Sequence, residues 1–256
     1  MSTTMQLPLR PESAFAENEG VRVYYEVHGE GPPLLLHHGW SSNGERWHSA
    51  GYVDVLKREF RVIVLDARGH GRSDKPHDES LYKLELRTAD VAAVLDAVGV
   101  GATNYWGYSM GARTGFAMMQ MQPSRICSFV NGAAAPGRPK TNEQESLRLR
   151  AQQTRSGDRA LTAAEKPDFF DNDLEALAAA SLGLLYWDGV DVRTLDVPSL
   201  HYAGDLDALR PAAEQVASRM PHAKFMLVPG VDHRSGFDRS DLVLPFVLEF
   251  LRSITS

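Results

Sequence analysis

The sequence predicts an α/β fold, with a mostly parallel central sheet, helices on both faces and a helical insertion. Two observations predict it. Short apolar runs, several of them continuous as in strands buried on both faces, alternate with helix-like segments over short connections. This alternation stops near residue 132 and resumes near residue 199, with helical texture and no strand in between. A sheet of this kind places its functional site at the carboxyl ends of its strands.

The composition suits one packed domain that carries an insertion. The chain has 256 residues, of which 43% are hydrophobic and 23% charged, so we expect a normal core and no extensive disorder. A net charge of −6 and the lack of a long Lys/Arg cluster argue against a nucleic-acid surface. No apolar run approaches the length of a membrane span, and residues 1–10 lack the apolar centre of a secretory signal. We therefore expect a cytoplasmic protein.

The elements follow in chain order after a loose, polar leader over residues 1–12. The predicted strands are 21–27, 34–38, 61–65, 104–106, 126–130, 199–203 and 224–228. The predicted helices between them are 46–58, 81–98, 112–121, 211–220 and 242–251. We assign residues 1–137 and 192–256 to the core domain and 138–191 to a helical cap. The cap contains predicted helices 143–153, 160–170 and 174–187, and we expect it to lie over the strand ends.

Ser109 lies at the sharpest predicted turn, in the pattern Gly107-Tyr108-Ser109-Met110-Gly111. An apolar run precedes this pattern and a stretch of good helix formers follows it. A strand that turns directly into a helix holds its middle residue in a strained backbone, and flanking glycines make room for the turn. The Ser109 hydroxyl would then stand exposed above the first N–H groups of a helix, which is how a serine is presented as a nucleophile.

Two later loops offer a base and an acid for this serine. His233 follows the predicted strand 224–228, and Asp205 and Asp207 follow the strand 199–203. Both loops leave the same edge of the sheet as Ser109. A serine hydroxyl needs a base to take its proton, and a histidine base needs a carboxylate to hold its tautomer. The residues alone leave open which of the two aspartates serves.

With these motifs together, the chain resembles the α/β-hydrolase-fold enzymes from about residue 20 onward. The motifs that carry the resemblance are His38-Gly39-Trp40, Asp66 to Asp74, the Ser109 pattern, Gly204 to Asp207, and Gly230 to His233. The resemblance implies that Ser109 is the nucleophile, His233 the base and Asp207, rather than Asp205, the acid. It also implies an oxyanion hole made by the backbone N–H groups of Trp40 and Met110, each contributing roughly 3 kcal/mol.

Several other polar residues have a structural explanation. We expect the charges and glycines of Asp66 to Asp74 to fix a buried loop, and His37, His38 and His70 to be structural as well. The sequence has no His-Glu-x-x-His pattern and no cysteine pair, so we expect no zinc site and no cofactor. The single cysteine, Cys127, lies in an apolar run and is predicted to be a buried strand residue.

The predicted function is hydrolysis of a small carboxylic ester or lactone through an acyl-serine intermediate. The same triad would also serve carbon–carbon bond hydrolysis or perhydrolysis, and the sequence does not separate these. A ligand receptor of the same fold and a cofactor-free oxygenase are weaker alternatives. We expect the substrate pocket to be apolar, and its candidate residues are Trp40, Tyr108, Phe169, Phe170 and Trp187.

Overall fold

A single eight-stranded sheet organises the molecule. The structure is a computed structural model, and it describes residues 13–137, 141–156 and 172–255. The strands are β1 (Ser13–Asn18), β2 (Val21–His28), β3 (Pro33–His37), β4 (Arg61–Leu65), β5 (Thr103–Tyr108), β6 (Ile126–Gly132), β7 (Ser199–Gly204) and β8 (Ala223–Val228). Their order across the sheet is β1-β2-β4-β3-β5-β6-β7-β8. The two pairings that involve β2 are antiparallel and the other five are parallel, which confirms the predicted sheet.

Helices cover both faces of this sheet. They are α1 (Glu45–Ser49), α2 (Tyr52–Leu56), α3 (Leu84–Val98), α4 (Met110–Met121), α5 (Thr141–Arg155), α6 (Leu174–Leu182), α7 (Arg210–Ala217), α8 (Ser235–Asp238) and α9 (Ser240–Thr255). Short 3₁₀ helices span Glu79–Tyr82, Pro123–Arg125, Gly183–Tyr186 and Val192–Thr194. Apolar residues of α3 and α4 form a core with one face, while those of α1, α2 and α9 form a core with the other.

Two glycines set helix boundaries in this part of the chain. The segment predicted as one helix over 46–58 is two short helices, α1 and α2, because Gly51 between them has a φ of 80°. Gly99 ends α3 as predicted, with a φ of 74° and its N–H bonded to the Asp96 carbonyl. Residues 13–18, which the sequence left unassigned, form the antiparallel edge strand β1.

The position of Cys127 was predicted wrongly, because its side chain is exposed. The strands β5 and β6 pair Thr103 with Ile126 and then Asn104 with Ser128, so the register shifts at this point and Cys127 has no partner opposite it. A bulge of this kind turns the side chain away from the face that an apolar run suggests.

Between β6 and β7, two glycines that are far apart in the sequence are joined by a backbone bridge. Gly137 and Gly189 form an isolated antiparallel bridge, and α5 and α6 pack against each other between these residues. The predicted helices 143–153 and 174–187 correspond to α5 and to α6 with the following 3₁₀ turn. The predicted helix 160–170 and the leader 1–12 lie outside the described residues.

Over the described ranges 13–137, 141–156 and 172–255, the structure contains no helix with the length and hydropathy needed to cross a membrane.

Candidate active site

Ser109 occupies a strained turn between β5 and α4. Its backbone has a φ of 51° and a ψ of −107°, a region that non-glycine residues rarely adopt and that costs about 1–3 kcal/mol. The turn is held from both sides: the Ser109 N–H donates to the Gly132 carbonyl at 2.8 Å, and its own carbonyl accepts from the Arg113 N–H at 3.0 Å. The strain is therefore maintained by the neighbouring strand β6 and by the first turn of α4.

The glycines of the Ser109 pattern are required by close backbone approach. A Cβ on Gly111 would lie 2.2 Å from the His37 carbonyl oxygen, and one on Gly107 would lie 2.4 Å from the Ala112 nitrogen. Both distances are far below van der Waals contact. The helix that follows Ser109 can thus lie directly against the ends of β3 and β5 only because these two side chains are missing.

The structure places His233 and Asp207 in line with Ser109. His233 Nε2 lies 3.0 Å from Ser109 Oγ, and His233 Nδ1 lies 2.9 Å from Asp207 Oδ2. An ionised carboxylate only accepts, so Nδ1 carries the proton and Nε2 is left to accept from the Ser109 hydroxyl. The Asp207 side chain is 1% exposed and that of His233 is 38% exposed. The carboxylate is therefore shielded from solvent, while the imidazole remains accessible.

The loops that carry Asp207 and His233 are fastened together. Gly204 lies so close to the second loop that a Cβ there would be 2.0 Å from the Val231 carbonyl oxygen. That carbonyl accepts from the Leu206 N–H at 3.1 Å. Asp205 Oδ1 accepts from the Gly230 N–H at 2.8 Å. Asp205 therefore fixes the backbone of the histidine loop, whereas Asp207 contacts the imidazole itself.

Asp207 is held in turn by its own loop. Its Oδ1 accepts from the Leu209 N–H at 2.7 Å, which leaves Oδ2 for His233. Each carboxylate oxygen thus has a separate partner, and the side chain cannot rotate without losing both bonds.

Tyr108 contacts His233 through both its hydroxyl and its ring. Its hydroxyl donates to the His233 carbonyl at 2.6 Å, and its ring packs on Phe237 and against the imidazole. Burial raises the pKa of this phenol well above its usual range, so it remains a donor. Tyr108 is 5% exposed. It holds the histidine loop, a role that no sequence pattern indicated.

The loop after β3 lies beside the serine. A Cβ on Gly39 would be 3.5 Å from Ser109 Cβ, so the backbone of 39–40 borders the nucleophile. Met110 is the first residue of α4, where backbone N–H groups have no partner within the helix. The two predicted N–H donors, of Trp40 and Met110, therefore belong to backbone segments that meet at Ser109.

The Trp40 side chain links this loop to α6. Its indole N–H donates to the Leu177 carbonyl at 3.0 Å, and the side chain packs against the small cluster of Tyr82, Ala179 and Ala180. The Arg150 guanidinium, on α5, lies 5.6 Å from the centre of the indole. Trp40 thus connects the border of Ser109 with both described helices of the insertion.

The remaining pocket candidates are distributed differently. Trp187 is 5% exposed and belongs to the large core cluster, where its indole N–H donates to Gln120 Oε1, in the last turn of α4, at 3.4 Å. These are the contacts of a packed core residue. Phe169 and Phe170 lie outside the described residues.

The loop from Asp66 to Asp74 is buried over residues 66–70 and at Ser73, with Arg72 exposed, and it is internally bonded. Asp66 accepts from the N–H groups of Gly44 at 2.6 Å and Arg72 at 2.8 Å, and Ser73 Oγ donates to the Asp66 carbonyl at 2.6 Å. Arg68 forms a buried pair with Asp90 on α3. The charged side chains of the loop therefore fix its shape and also join it to β2 and α3.

The histidines near the site are buried and structural. His38 Nε2 accepts from the Ala67 N–H at 3.0 Å, and its Nδ1–H donates to the Gly39 carbonyl at 2.7 Å. His37 Nδ1 lies 2.6 Å from the Tyr105 hydroxyl. Burial lowers the pKa of His37, His38 and His70 below the usual range, so all three are neutral near pH 7. Neutral His38 fixes the backbone of the loop that borders Ser109.

Comparison with known proteins agrees with this fold. The sequence profile of the alpha/beta hydrolase fold family matches residues 32–186. A non-heme haloperoxidase of Rhodococcus erythropolis is 26% identical over 92% of this chain and 98% of its own. A pimeloyl-acyl-carrier-protein methyl ester esterase of Methylococcus capsulatus is 28% identical over 82% of this chain and 70% of its own. The crystal structure of the enol-lactonase from Burkholderia xenovorans LB400 has 25% identity and a TM-score of 0.82, covering 93% of this chain and 100% of that one.

The fold and these relatives define a hydrolytic enzyme, and the strained Ser109 lies at the end of β5. The chain belongs to the alpha/beta hydrolase fold family, since the family profile matches more than half of it.

Proposed function

We propose that this enzyme hydrolyses small carboxylic esters or lactones through an acyl-serine intermediate. The observation that supports this most directly is the connected line from Ser109 Oγ through His233 to Asp207, with contacts of 3.0 and 2.9 Å. A strained serine joined to an imidazole and a shielded carboxylate is the arrangement that acyl transfer needs.

In the first step, Ser109 Oγ attacks the carbonyl carbon while His233 Nε2 takes the hydroxyl proton. Asp207 stabilises the imidazolium that forms and keeps its ring in place. The tetrahedral intermediate then expels the alkoxide, which takes the proton from His233. A water molecule attacks the acyl-serine with His233 again acting as base, and the acid leaves. In a lactone the alkoxide stays attached to the same product.

The oxyanion of the intermediate is stabilised by the backbone N–H groups of Trp40 and Met110. The proximity of Gly39 to Ser109 supports the first donor, and the position of Met110 at the start of α4 supports the second. Donors of this kind act where negative charge develops in the transition state.

The insertion over 138–191 serves as a cap that shapes the acyl or alcohol pocket. The support is the contact of Trp40 with α6 and α5, because the same residue borders the nucleophile. Asn172, just before α6, donates to the Ser41 carbonyl at 3.0 Å. This is a second contact between the insertion and the loop that contains Trp40. Phe169 and Phe170 belong to this proposed pocket by sequence alone.

The test is Ser109→Ala compared with Ser253→Ala, which removes a surface hydroxyl on α9. Ser109→Ala is expected to lower kcat for an aryl ester or a lactone by about 10⁶-fold, as loss of a triad nucleophile does. Mass spectrometry should show a fluorophosphonate adduct on Ser109 in the wild type and in Ser253→Ala, and none in Ser109→Ala. Hydrolysis at a near-normal rate in a folded Ser109→Ala variant contradicts the proposal.

A second candidate, perhydrolysis, is favoured by one finding, the likeness to a non-heme haloperoxidase over 92% of this chain. In that reaction hydrogen peroxide replaces water at the acyl-serine and releases a peracid. A comparison of kcat/KM among aryl esters, lactones and β-diketones, with and without peroxide, distinguishes three reactions: ester or lactone hydrolysis, perhydrolysis and carbon–carbon bond hydrolysis.

A further inference from the structure

A cluster of two histidines and a glutamate lies outside the proposed active site. It consists of Glu26 and His28 on β2 and His48 on α1. Among the residues that the structure describes, these three form the group whose side chains could hold a metal ion, with one ligand atom from each within 4.8 Å of the others. The mechanism proposed above uses none of them.

The strand pairing explains why these side chains meet. Glu26 and His28 are two residues apart, so they project from the same face of β2. They pair with Val64 and Val62 of β4, which belong to the same core cluster as Trp47 of α1. Directly paired residues project to the same face. The face of the sheet that carries Glu26 and His28 is therefore the face that α1 covers. His48, on α1, contacts Glu26 on this face.

Both imidazoles point at a single carboxylate oxygen. Glu26 Oε2 lies 3.1 Å from His28 Nε2 and 2.9 Å from His48 Nε2. The two rings are 4.9 Å apart and nearly perpendicular. A hydrogen bond from either ring nitrogen to Oε2 directs the ring plane at that oxygen, so the two Nε2 atoms already converge.

The spacing fits a zinc ion. Bonds of about 2.0–2.1 Å to nitrogen and oxygen at tetrahedral angles place neighbouring ligand atoms roughly 3.3 Å apart. The two nitrogen–oxygen separations, 3.1 and 2.9 Å, need to open by only a few tenths of an ångström, and all three ligand atoms lie within 4.8 Å of one another. A metal would replace the two shared protons, because imidazole binds a metal through the nitrogen lone pair.

The second carboxylate oxygen is fixed by other partners. Glu26 Oε1 accepts from the Tyr24 hydroxyl at 2.7 Å and from Arg72 Nη1 at 3.0 Å. Such outer partners orient a ligating carboxylate and leave its other oxygen for the metal. The side chains of His28 and His48 are 27% and 26% exposed. An ion can therefore enter from solvent, and water can complete its coordination.

We infer that Glu26, His28 and His48 form a binding site for a divalent zinc ion that joins β2 to α1. Two imidazoles and one carboxylate are a donor set that suits zinc, with solvent in the open position. The sequence predicted no zinc site, because these ligands are divided between a strand and a helix 20 residues further along and form no local pattern. The inference does not depend on the proposed ester hydrolysis.

The test is zinc titration of the full chain after removal of metal with EDTA, using a competing chromophoric chelator. The wild type is expected to bind one Zn²⁺. His28→Gln and His48→Gln should each bind it at least about 100-fold more weakly, since even outer partners of a metal site change affinity by about 10- to 100-fold. His222→Gln is the matched control, because His222 is a surface histidine paired with Asp196 and is not part of the cluster. It should bind zinc as the wild type does.

Nitrogen NMR of the histidine side chains provides a measurement that needs no variant. One equivalent of Zn²⁺ should shift the Nε2 resonances of His28 and His48 and leave those of His222 unchanged. Equal zinc affinity in the wild type and His48→Gln, or the absence of shifts at these two nitrogens, overturns the inference. Ser109→Ala should bind zinc normally, so failure of this inference and failure of the proposed catalysis are distinguishable.

Discussion

At the scale of single residues, the two aspartates after β7 have different partners. Asp207 contacts the imidazole of His233, while Asp205 accepts from the backbone of Gly230. They are two positions apart in one tight turn, and both are available to the sequence argument. Only the folded turn distinguishes Asp207, which contacts the His233 imidazole, from Asp205, which holds the backbone of the loop that carries His233.

This difference predicts opposite results for two matched substitutions. Asp207→Asn should lower kcat by about 10³- to 10⁴-fold, because an amide in place of the carboxylate favours the wrong imidazole tautomer. Asp205→Asn should change kcat less than about tenfold, since the amide oxygen can still accept from Gly230. The measurement is kcat and KM for an aryl ester, with circular dichroism to verify folding. Equal losses in both variants would contradict the assignment of Asp207 as the acid.

The sequence could predict those residues of the site that have local signals. Ser109 lies between flanking glycines, and His233 and Asp207 each follow a recognisable strand, so their positions at the sheet edge were predictable. The Tyr108 hydroxyl on the His233 carbonyl joins residues 125 positions apart and had no such signal. Trp187 was predicted to lie in the pocket because of its aromatic character, but its packing on α4 depends on tertiary contacts that apolarity does not specify.

At the scale of elements, the loop after Asp66 and the helix α6 are joined by an exposed ion pair. His77 Nε2 lies 2.9 Å from Asp173 Oδ2, while Asp173 Oδ1 caps α6 by accepting from the Ala176 N–H at 3.0 Å. Hydrogen bonding to Asp173 raises the pKa of His77 above its usual value. The charged pair is therefore complete below that usual value and is lost as pH rises through the raised pKa.

Hydrogen exchange at the first turn of α6 should follow this titration. After correction for the intrinsic pH dependence of exchange, protection there should fall as His77 loses its proton. His77→Ala should show the lower protection at every pH, since Asp173 keeps its cap but loses its partner. His222→Ala removes a comparable surface pair with Asp196 and should leave α6 unchanged. Identical protection of α6 in the wild type and His77→Ala would show that this pair does not hold the helix.

The ends of elements were predictable only where a local residue signal, such as a glycine after a helix, marks them. Gly99 ended α3 as expected, whereas Gly51 divided a predicted helix because of its left-handed backbone. The exposed Cys127 results from a register shift between β5 and β6, which is a property of the pair of strands and not of either run of residues.

At the scale of the whole molecule, four buried histidines make folding sensitive to acid. Burial lowers the pKa of His37, His38 and His70, and that of His201 to about 4. The unfolded chain takes up protons at these side chains below a pH of about 6.5, while the folded chain does not. Their contribution to stability is thus present above that pH and is lost as the pH falls toward the folded pKa values.

We expect the free energy of unfolding to fall as the pH drops below about 6.5, with a slope of at most about 1.4 kcal/mol per pH unit from each of these histidines. Urea unfolding at a series of pH values measures the slope. His201→Gln should reduce the slope of the unfolding free energy against pH by the contribution of one proton. The slopes of the two proteins are compared, and not their free energies, because the substitution also changes packing. An unchanged slope in His201→Gln would mean that His201 is already protonated in the folded state.

The bridge between Gly137 and Gly189 also bears on how such a protein can diversify. The chain leaves the core at Gly137 and returns at Gly189, and the bridge between them forms a neck about one strand spacing wide. The segment beyond this neck is therefore a module that is connected to the core at one place. Ser109 precedes this neck in the chain, and Asp207 and His233 follow it, and the three residues follow β5, β7 and β8 of the one sheet. A lineage can therefore lengthen, shorten or exchange that module, and so change which molecules it admits, while inheriting its chemistry unaltered.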